Sequence, residues 1–254
     1  MINKSMVDKY GLIGYPLGHS FSINYFNQKF ADEGINAEYI NFAIPQIDTL
    51  IEILGANPEL KGLNVTIPYK EKVIEYLDQL SPEARAIGAV NVIRVMHEGG
   101  KIRMKGFNSD VIGFTQSIEP MLEDYHKKAL VLGTGGASKA CSYGLKSLGL
   151  ETVYVSRYEK PDTICYCDIT PEVVKEYNVI VNCTPLGMFP KTEECPLLPY
   201  EALDERNILY DLIYNPNETL FMKKGAERGA QVKNGLEMLL LQAFASWEIW
   251  NGKE

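Results

Sequence analysis

The stretch Gly62-Leu-Asn-Val-Thr-Ile-Pro-Tyr-Lys-Glu-Lys sets an amide (Asn64), a hydroxyl (Thr66) and an ammonium (Lys70) at the end of an apolar run. If the run is a buried strand and Pro68 opens a helix, all three project at a carboxyl edge, where open α/β sheets bind ligands. A capped helix start with a solvated lysine is the plainer reading. Ser20 and Ser22 stand one residue apart at the start of a second helical pattern. Hydroxyls there, beside a helix N-terminus, suit an anion such as a carboxylate, and an ordinary N-cap is again the alternative. Further on, "ALVLGTGGASKA" runs a strand into Gly133-Thr-Gly135-Gly136-Ala137-Ser138 and then into a helix. That is the context of a dinucleotide fingerprint: one glycine for the turn, a second to admit the pyrophosphate, and a helix N-terminus facing the charge. Ser138 occupies the third small position. The following strand, "TVYVSRYEK", ends in Ser156-Arg157 where an NAD site would carry an acid. A guanidinium and a hydroxyl there match a 2′-phosphate, so NADP is the expected cofactor, with Lys160 as a further cation.

These groups need elements to hold them. "YGLIGY", "AEYINFAI" and "LKGLNVTI" read as strands, 20–31 and 47–54 as helices, and the residues after Pro68 as a helix with Val73, Ile74, Leu77 and Leu80 on one stripe. "AVNVIRVMHEGGKIRMKGF" is a hairpin about Gly99-Gly100, and 110–122 an amphipathic helix. A second strand and helix series follows, "KKALVLG", "LETVYVSR", "YNVIVNCTP" and "NILYDLIY", with spacing that implies right-handed crossovers and a parallel sheet. The last helix is apolar on most faces and is expected to pack back on the first half. The reading is therefore α/β: an N-terminal mixed α/β substrate domain over 1–110, joined by the C-terminal helix 236–254, and a Rossmann dinucleotide-binding domain over 111–235.

The 254 residues, 46% hydrophobic and 23% charged, carry a net charge of −8, which offers no overall basic field for nucleic acid. No apolar run is long enough for a membrane span and the N-terminus lacks a signal-peptide segment, so a cytoplasmic protein is expected. Cys141, Cys165, Cys167, Cys183 and Cys195 are odd in number and lack a Cys-x-x-Cys spacing. They indicate neither a disulfide framework nor a zinc site, and read as small buried or half-buried residues. His19, His97 and His126 are far apart, so no metal is expected.

With "GYPLGHSFS", "NVTIPYKE", "GAVNVI", "GFNSDVIGF", "VLGTGGASKA", "VNCTPLGM", "YDLIYNP" and "GLEMLLLQA" in that order, the sequence resembles the shikimate dehydrogenase family over essentially its whole length. The resemblance implies reversible NADPH-dependent reduction of 3-dehydroshikimate to shikimate, a step of aromatic amino acid biosynthesis. By position it implies Ser20 and Ser22 at the substrate carboxylate with Tyr214 near it, and Asn64, Thr66, Asn91, Asp110 and Gln242 around the hydroxyls. It implies Lys70 and Asp110 as the catalytic pair. Gly133, Gly135, Gly136, Ala137 and Thr184 would hold the cofactor, Ser156 and Arg157 its 2′-phosphate, and Gly235 and Met238 would lie near the nicotinamide. Hydride transfer from a secondary alcohol needs a group to take and return the hydroxyl proton, which suits Lys70 with Asp110, or Lys70 as an electrostatic clamp on the developing alkoxide. Partners are the small-molecule substrate, with no nucleic acid and no membrane, in a monomer or homodimer.

Three departures stand out. Ile23 follows Ser22 where the family usually has proline, Phe26 precedes Asn27 where it has histidine, and Ser156-Arg157-Tyr158 replaces Asn-Arg-Thr. A quinate/shikimate dehydrogenase using NAD and a non-catalytic ligand-sensing homologue share the fold. Ser20, Ser22 and Arg157 argue against the first, and retention of Lys70 and Asp110 against the second.

Overall fold

The computed structural model describes residues 7–18 and 20–253. The first six residues, where no signal segment is expected, His19, and Glu254 at the end of the expected closing helix lie outside the described residues. The chain divides into two compact units, Met1–Ser109 with Ala243–Glu254, and Asp110–Gln242.

In the first unit β1 (Asp8–Gly14), β2 (Ala37–Ala43) and β3 (Leu60–Val65) run parallel, with β1 in the middle. α1 (Phe21–Asp32) and α2 (Thr49–Ala56) connect them. After β4 (Gln79–Leu80) and α3 (Pro82–Ile87), β5 (Val92–Glu98) and β6 (Lys101–Phe107) form the expected antiparallel hairpin. Both turn glycines, Gly99 and Gly100, have positive φ (56° and 78°), the backbone a two-residue hairpin requires. The sheet order is β2-β1-β3-β5-β6-β4. Alternating side chains divide between two cores: Ile13, Leu63, Val65, Val73 and Ile93 on one face, and Tyr10, Leu12, Phe26, Tyr39 and Trp250 on the other.

The helix expected after Pro68 is not formed. The Ile67–Pro68 peptide is cis, Tyr69 N–H bonds back to Thr66 O at 2.9 Å, and only a 3₁₀ turn follows, over Lys72–Tyr76. Leu80, assigned to that helix by its spacing, lies in β4. The sheet takes the backbone there: Asp78 N–H donates to Met104 O and Ser81 N–H to Gly106 O. Tertiary pairing thus overrides a helical apolar spacing. α3, not expected from the sequence, nonetheless carries a full set of end signals: Ser81 accepts from Ala84 N–H, Pro82 opens the helix, and Gly88 closes it at φ 71°.

The second unit contains α4 (Asp110–Ile118), β7 (Lys128–Leu132), α5 (Gly136–Ser147), β8 (Glu151–Ser156), β9 (Thr163–Cys165), α6 (Pro171–Glu176), β10 (Val179–Asn182), β11 (Ile208–Asp211), α7 (Leu220–Ala226) and β12 (Gln231–Lys233). α8 (Leu236–Trp250) starts in this unit and ends in the first. Every strand pairing in the sheet is parallel, in the order β12-β11-β10-β7-β8-β9. Counted along the chain from the β9 edge this is 3-2-1-4-5-6, the Rossmann order, which binds dinucleotides at the carboxyl ends of the strands where the order reverses. Among the described residues no helix is long and apolar enough to cross a membrane.

Candidate active site

In the first unit several of the expected substrate residues meet in one buried polar network. Asn64, at the end of β3, accepts from the Tyr39 hydroxyl at 2.8 Å and donates to Ser246 Oγ at 3.0 Å and Asn91 O at 3.3 Å. Asn91 in turn donates to Ser109 Oγ at 3.0 Å and accepts Ser109 N–H at 2.6 Å, while the hydroxyls of Ser109 and Ser246 lie 3.1 Å apart. Burial raises the Tyr39 hydroxyl well above the usual phenol range, and a hydrogen bond from Ser22 opposes that shift. Ser22 and Asn64, from separate motifs, are thus joined through Tyr39. Such a network fixes amide and hydroxyl orientations in advance, which is what recognition of a polyhydroxylated acid demands.

Ser20 stands in the N-cap position of α1, but its side chain makes no capping hydrogen bond, so the ordinary N-cap reading is not realised. Phe26 is fully buried and stacks on Tyr39 at 4.9 Å and 15°, a support for the tyrosine rather than a polar ligand. Asn27 bonds both the N–H and the C=O of Tyr39, at 2.9 and 3.0 Å, fixing α1 to β2. Thr66 and Lys70 are half-buried, and Lys70 O accepts Val90 N–H at 2.7 Å, which anchors the turn carrying the ammonium. Asp110 is buried at the first residue of α4.

In the second unit a pocket of about 320 Å³ is lined by Gly133, Thr134 and Gly135, by 155–158 and Lys160, and by Tyr166 and 183–186. Gly133 has φ +109°, a conformation L side chains rarely adopt, and its N–H bonds Val155 O at 2.9 Å. A Cβ on Gly135, the N-cap of α5, would meet nothing within 4 Å, so the approach to the helix N-terminus is open. Gly136 and Ala137 form the first turn of α5. Ser138 packs beneath, 1% exposed, with its hydroxyl unpartnered among the described residues.

Ser156 is buried at the end of β8 and accepts from Tyr158 N–H at 3.3 Å. Arg157 is exposed over the Tyr158 ring at 5.8 Å, and Lys160 Nζ donates to Thr134 Oγ1 at 3.2 Å. The cations and the glycine loop therefore share one pocket, and these residues fit a dinucleotide with a 2′-phosphate. Its other wall is held from below. Thr184 donates from its N–H and its hydroxyl to Asn182 Oδ1 at 3.0 and 2.6 Å, and Asn182 Nδ2 donates to Asp211 Oδ1 at 3.0 Å.

Other expected residues are placed as follows. A Cβ on Gly235 would fall 2.1 Å from Leu212 O, so only glycine allows this approach. Met238 is buried in the core of the second unit with Phe114 and Tyr210. Gln242 Nε2 bonds Leu239 O at 3.0 Å, and Tyr214 is exposed in the segment after β11. Tyr39, Ser246, Tyr166 and Asp211 were missed by sequence reasoning; only the strand pattern around Tyr39 and the "YDLIYNP" motif around Asp211 held any signal for them.

Known proteins share this architecture. A model of the shikimate dehydrogenase substrate binding domain matches residues 12–93. The chain is 37% identical over 258 residues to a shikimate dehydrogenase (NADP(+)) of Carboxydothermus hydrogenoformans, covering 95% of this chain and 91% of that one. A shikimate dehydrogenase structure from Aquifex aeolicus superposes with a TM-score of 0.85 at 34% identity, covering 99% of this chain and 95% of that one. A Thermus thermophilus shikimate 5-dehydrogenase in complex with NADP(H) and shikimate gives 0.83 at 30% identity, covering 96% and 94%.

Proposed function

The chain belongs to the shikimate dehydrogenase family, and on that premise we propose that it catalyses the reversible NADPH-dependent reduction of 3-dehydroshikimate to shikimate in aromatic amino acid biosynthesis. The observation that carries this reading is that the likeness spans nearly the whole chain. A substrate half and a cofactor half are both retained. Relatives at this level bear the NADP-dependent name, and one was solved with both ligands.

Within that reading the residues divide by chemistry. Ser20 and Ser22, at the start of α1, take the substrate carboxylate, to which we also assign Tyr214. Asn64, Thr66, Asn91 and Gln242 pair with the hydroxyls, and the buried network of Tyr39, Ser109 and Ser246 keeps the two asparagines oriented. Lys70 and Asp110 handle the proton of the reacting hydroxyl, returning it in the reductive direction and taking it in the oxidative one. When bound, the nicotinamide cofactor supplies or accepts the hydride. Gly133, Gly135, Gly136 and Ala137 receive its pyrophosphate, Thr184 borders the same pocket, Ser156 and Arg157 take the 2′-phosphate with Lys160 alongside, and Gly235 and Met238 are assigned to the nicotinamide end. A cytoplasmic location, with no nucleic-acid or membrane partner, belongs to the same proposal.

Arg157→Ala tests the cofactor assignment. Hydrogen bonds to charged groups contribute about 1.5 to 3 kcal/mol each, so NADP+ affinity should fall roughly 10- to 100-fold with NAD+ affinity little changed, as read by calorimetric titration. Equal losses for both cofactors would remove Arg157 from the 2′-phosphate site.

A further inference from the structure

One group of metal-ligating atoms among the described residues adjoins the cofactor pocket through Tyr166 and has no part in the reaction above. The Sγ atoms of Cys165 and Cys167 and a carboxylate oxygen of Asp168 all fall within 4.8 Å of one another. Their spacing, Cys-Tyr-Cys-Asp, matches no zinc motif, and from the sequence all five cysteines are expected in buried or half-buried positions. Cys167 departs from that: it is exposed, and Cys165 is only half-buried. The backbone explains the convergence. β9 ends at Cys165, and the chain turns at once into a single 3₁₀ turn, Tyr166–Asp168, so Asp168, which an extended strand would place on the face opposite Cys165 and Cys167, folds round to their side.

We propose that Cys165, Cys167 and Asp168 form a binding site for a thiophilic divalent cation of the zinc and cadmium type. Two soft sulfur ligands with one carboxylate and an open fourth position for water are a donor set such ions accept in tetrahedral geometry. With zinc–sulfur bonds near 2.3 Å, adjacent ligands sit roughly 3.5 to 3.8 Å apart. The Cys167 Sγ to Asp168 Oδ1 separation is already 3.7 Å. The Asp168 carboxylate is also held in place, because its other oxygen, Oδ2, accepts Cys165 N–H at 2.9 Å, the kind of outer hydrogen bond that fixes a ligating carboxylate. On binding, the two thiols lose their protons and the Cys167 S–H···O contact is replaced by coordination.

The site adjoins the pocket without entering it. Cys165 is the register partner of Ser156 across β8 and β9, and Tyr166, between the two ligating cysteines, lines the pocket with Ser156 and Arg157. Coordination would clamp the turn that carries this part of the wall.

The test is titration of the reduced, metal-stripped full chain with Cd²⁺, followed by the ultraviolet thiolate-to-cadmium charge-transfer band. One equivalent per chain should saturate the band. Cys165→Ser and Cys167→Ser should each abolish stoichiometric binding, and Asp168→Asn should weaken it at least about 10-fold. A band that persists in the double serine variant would assign the metal to other thiols and overturn the proposal. X-ray absorption of the wild-type chain with one equivalent of Zn²⁺ needs no variant: two sulfur neighbours near 2.3 Å are expected. A first shell with no sulfur would equally overturn the site.

Discussion

Asp211 links the stability of the cofactor-binding unit to pH. Its carboxyl group is fully buried at the end of β11, where burial pushes its pKa up to about 6 against hydrogen bonds from Thr219, Ile213 N–H and Asn182 that pull it down. The ordinary value is near 3.8. A carboxyl group whose folded pKa is raised contributes stability that is fully present below about pH 4 and is lost as pH rises through about 6. At 1.36 kcal/mol per unit, a shift of about two units amounts to about 3 kcal/mol. Asp211→Asn removes the titration but keeps an Oδ1 able to accept from Ile213 N–H at 3.1 Å and Asn182 Nδ2 at 3.0 Å, while the 2.6 Å bond from Thr219 changes partner. That last loss is common to both pH values and cancels in the comparison. For a chain of this size 1 kcal/mol moves the melting temperature by about 2 to 4 °C. Scanning calorimetry should therefore find the variant gaining about 6 to 12 °C relative to wild type between pH 4 and pH 8. A constant difference at both pH values would refute the reasoning.

Gly62→Ala should destabilise the first unit, because the new Cβ would lie 2.3 Å from the Trp250 indole, which donates from Nε1 to Ile93 O at 3.1 Å. Overpacking together with disturbance of that bond should cost about 2 to 4 kcal/mol, and an unchanged melting temperature would show that α8 does not press on β3. Lys70→Ala should lower kcat by about 10² to 10⁴ with a much smaller effect on KM; a raised KM at unchanged kcat would make Lys70 a binding residue.

What could be read in the sequence was local. The glycine loop, the Ser156-Arg157 strand end and the Gly99-Gly100 hairpin each take their geometry from adjacent residues, and the structure keeps all three. The turn at Pro68 could not be read, since the 77–80 segment follows the sheet rather than its own helical spacing. The network that holds Asn64 was equally hidden: Tyr39 and Ser246 are separated from it by 25 and 182 residues, and no local pattern encodes contacts of that range. Cys167 is exposed against expectation because a short polar turn after β9 overrides the usual burial of a free cysteine.

Which alcohol is oxidised, and with which cofactor, is tested most directly by steady-state kinetics of the purified chain with shikimate and with quinate, each paired with NADP+ and with NAD+. The highest kcat/KM is expected for shikimate with NADP+, since the paired amides and hydroxyls around Asn64 and the cations at Arg157 each favour one partner. Turnover of quinate with NAD+ at an equal or higher kcat/KM would contradict the assignment.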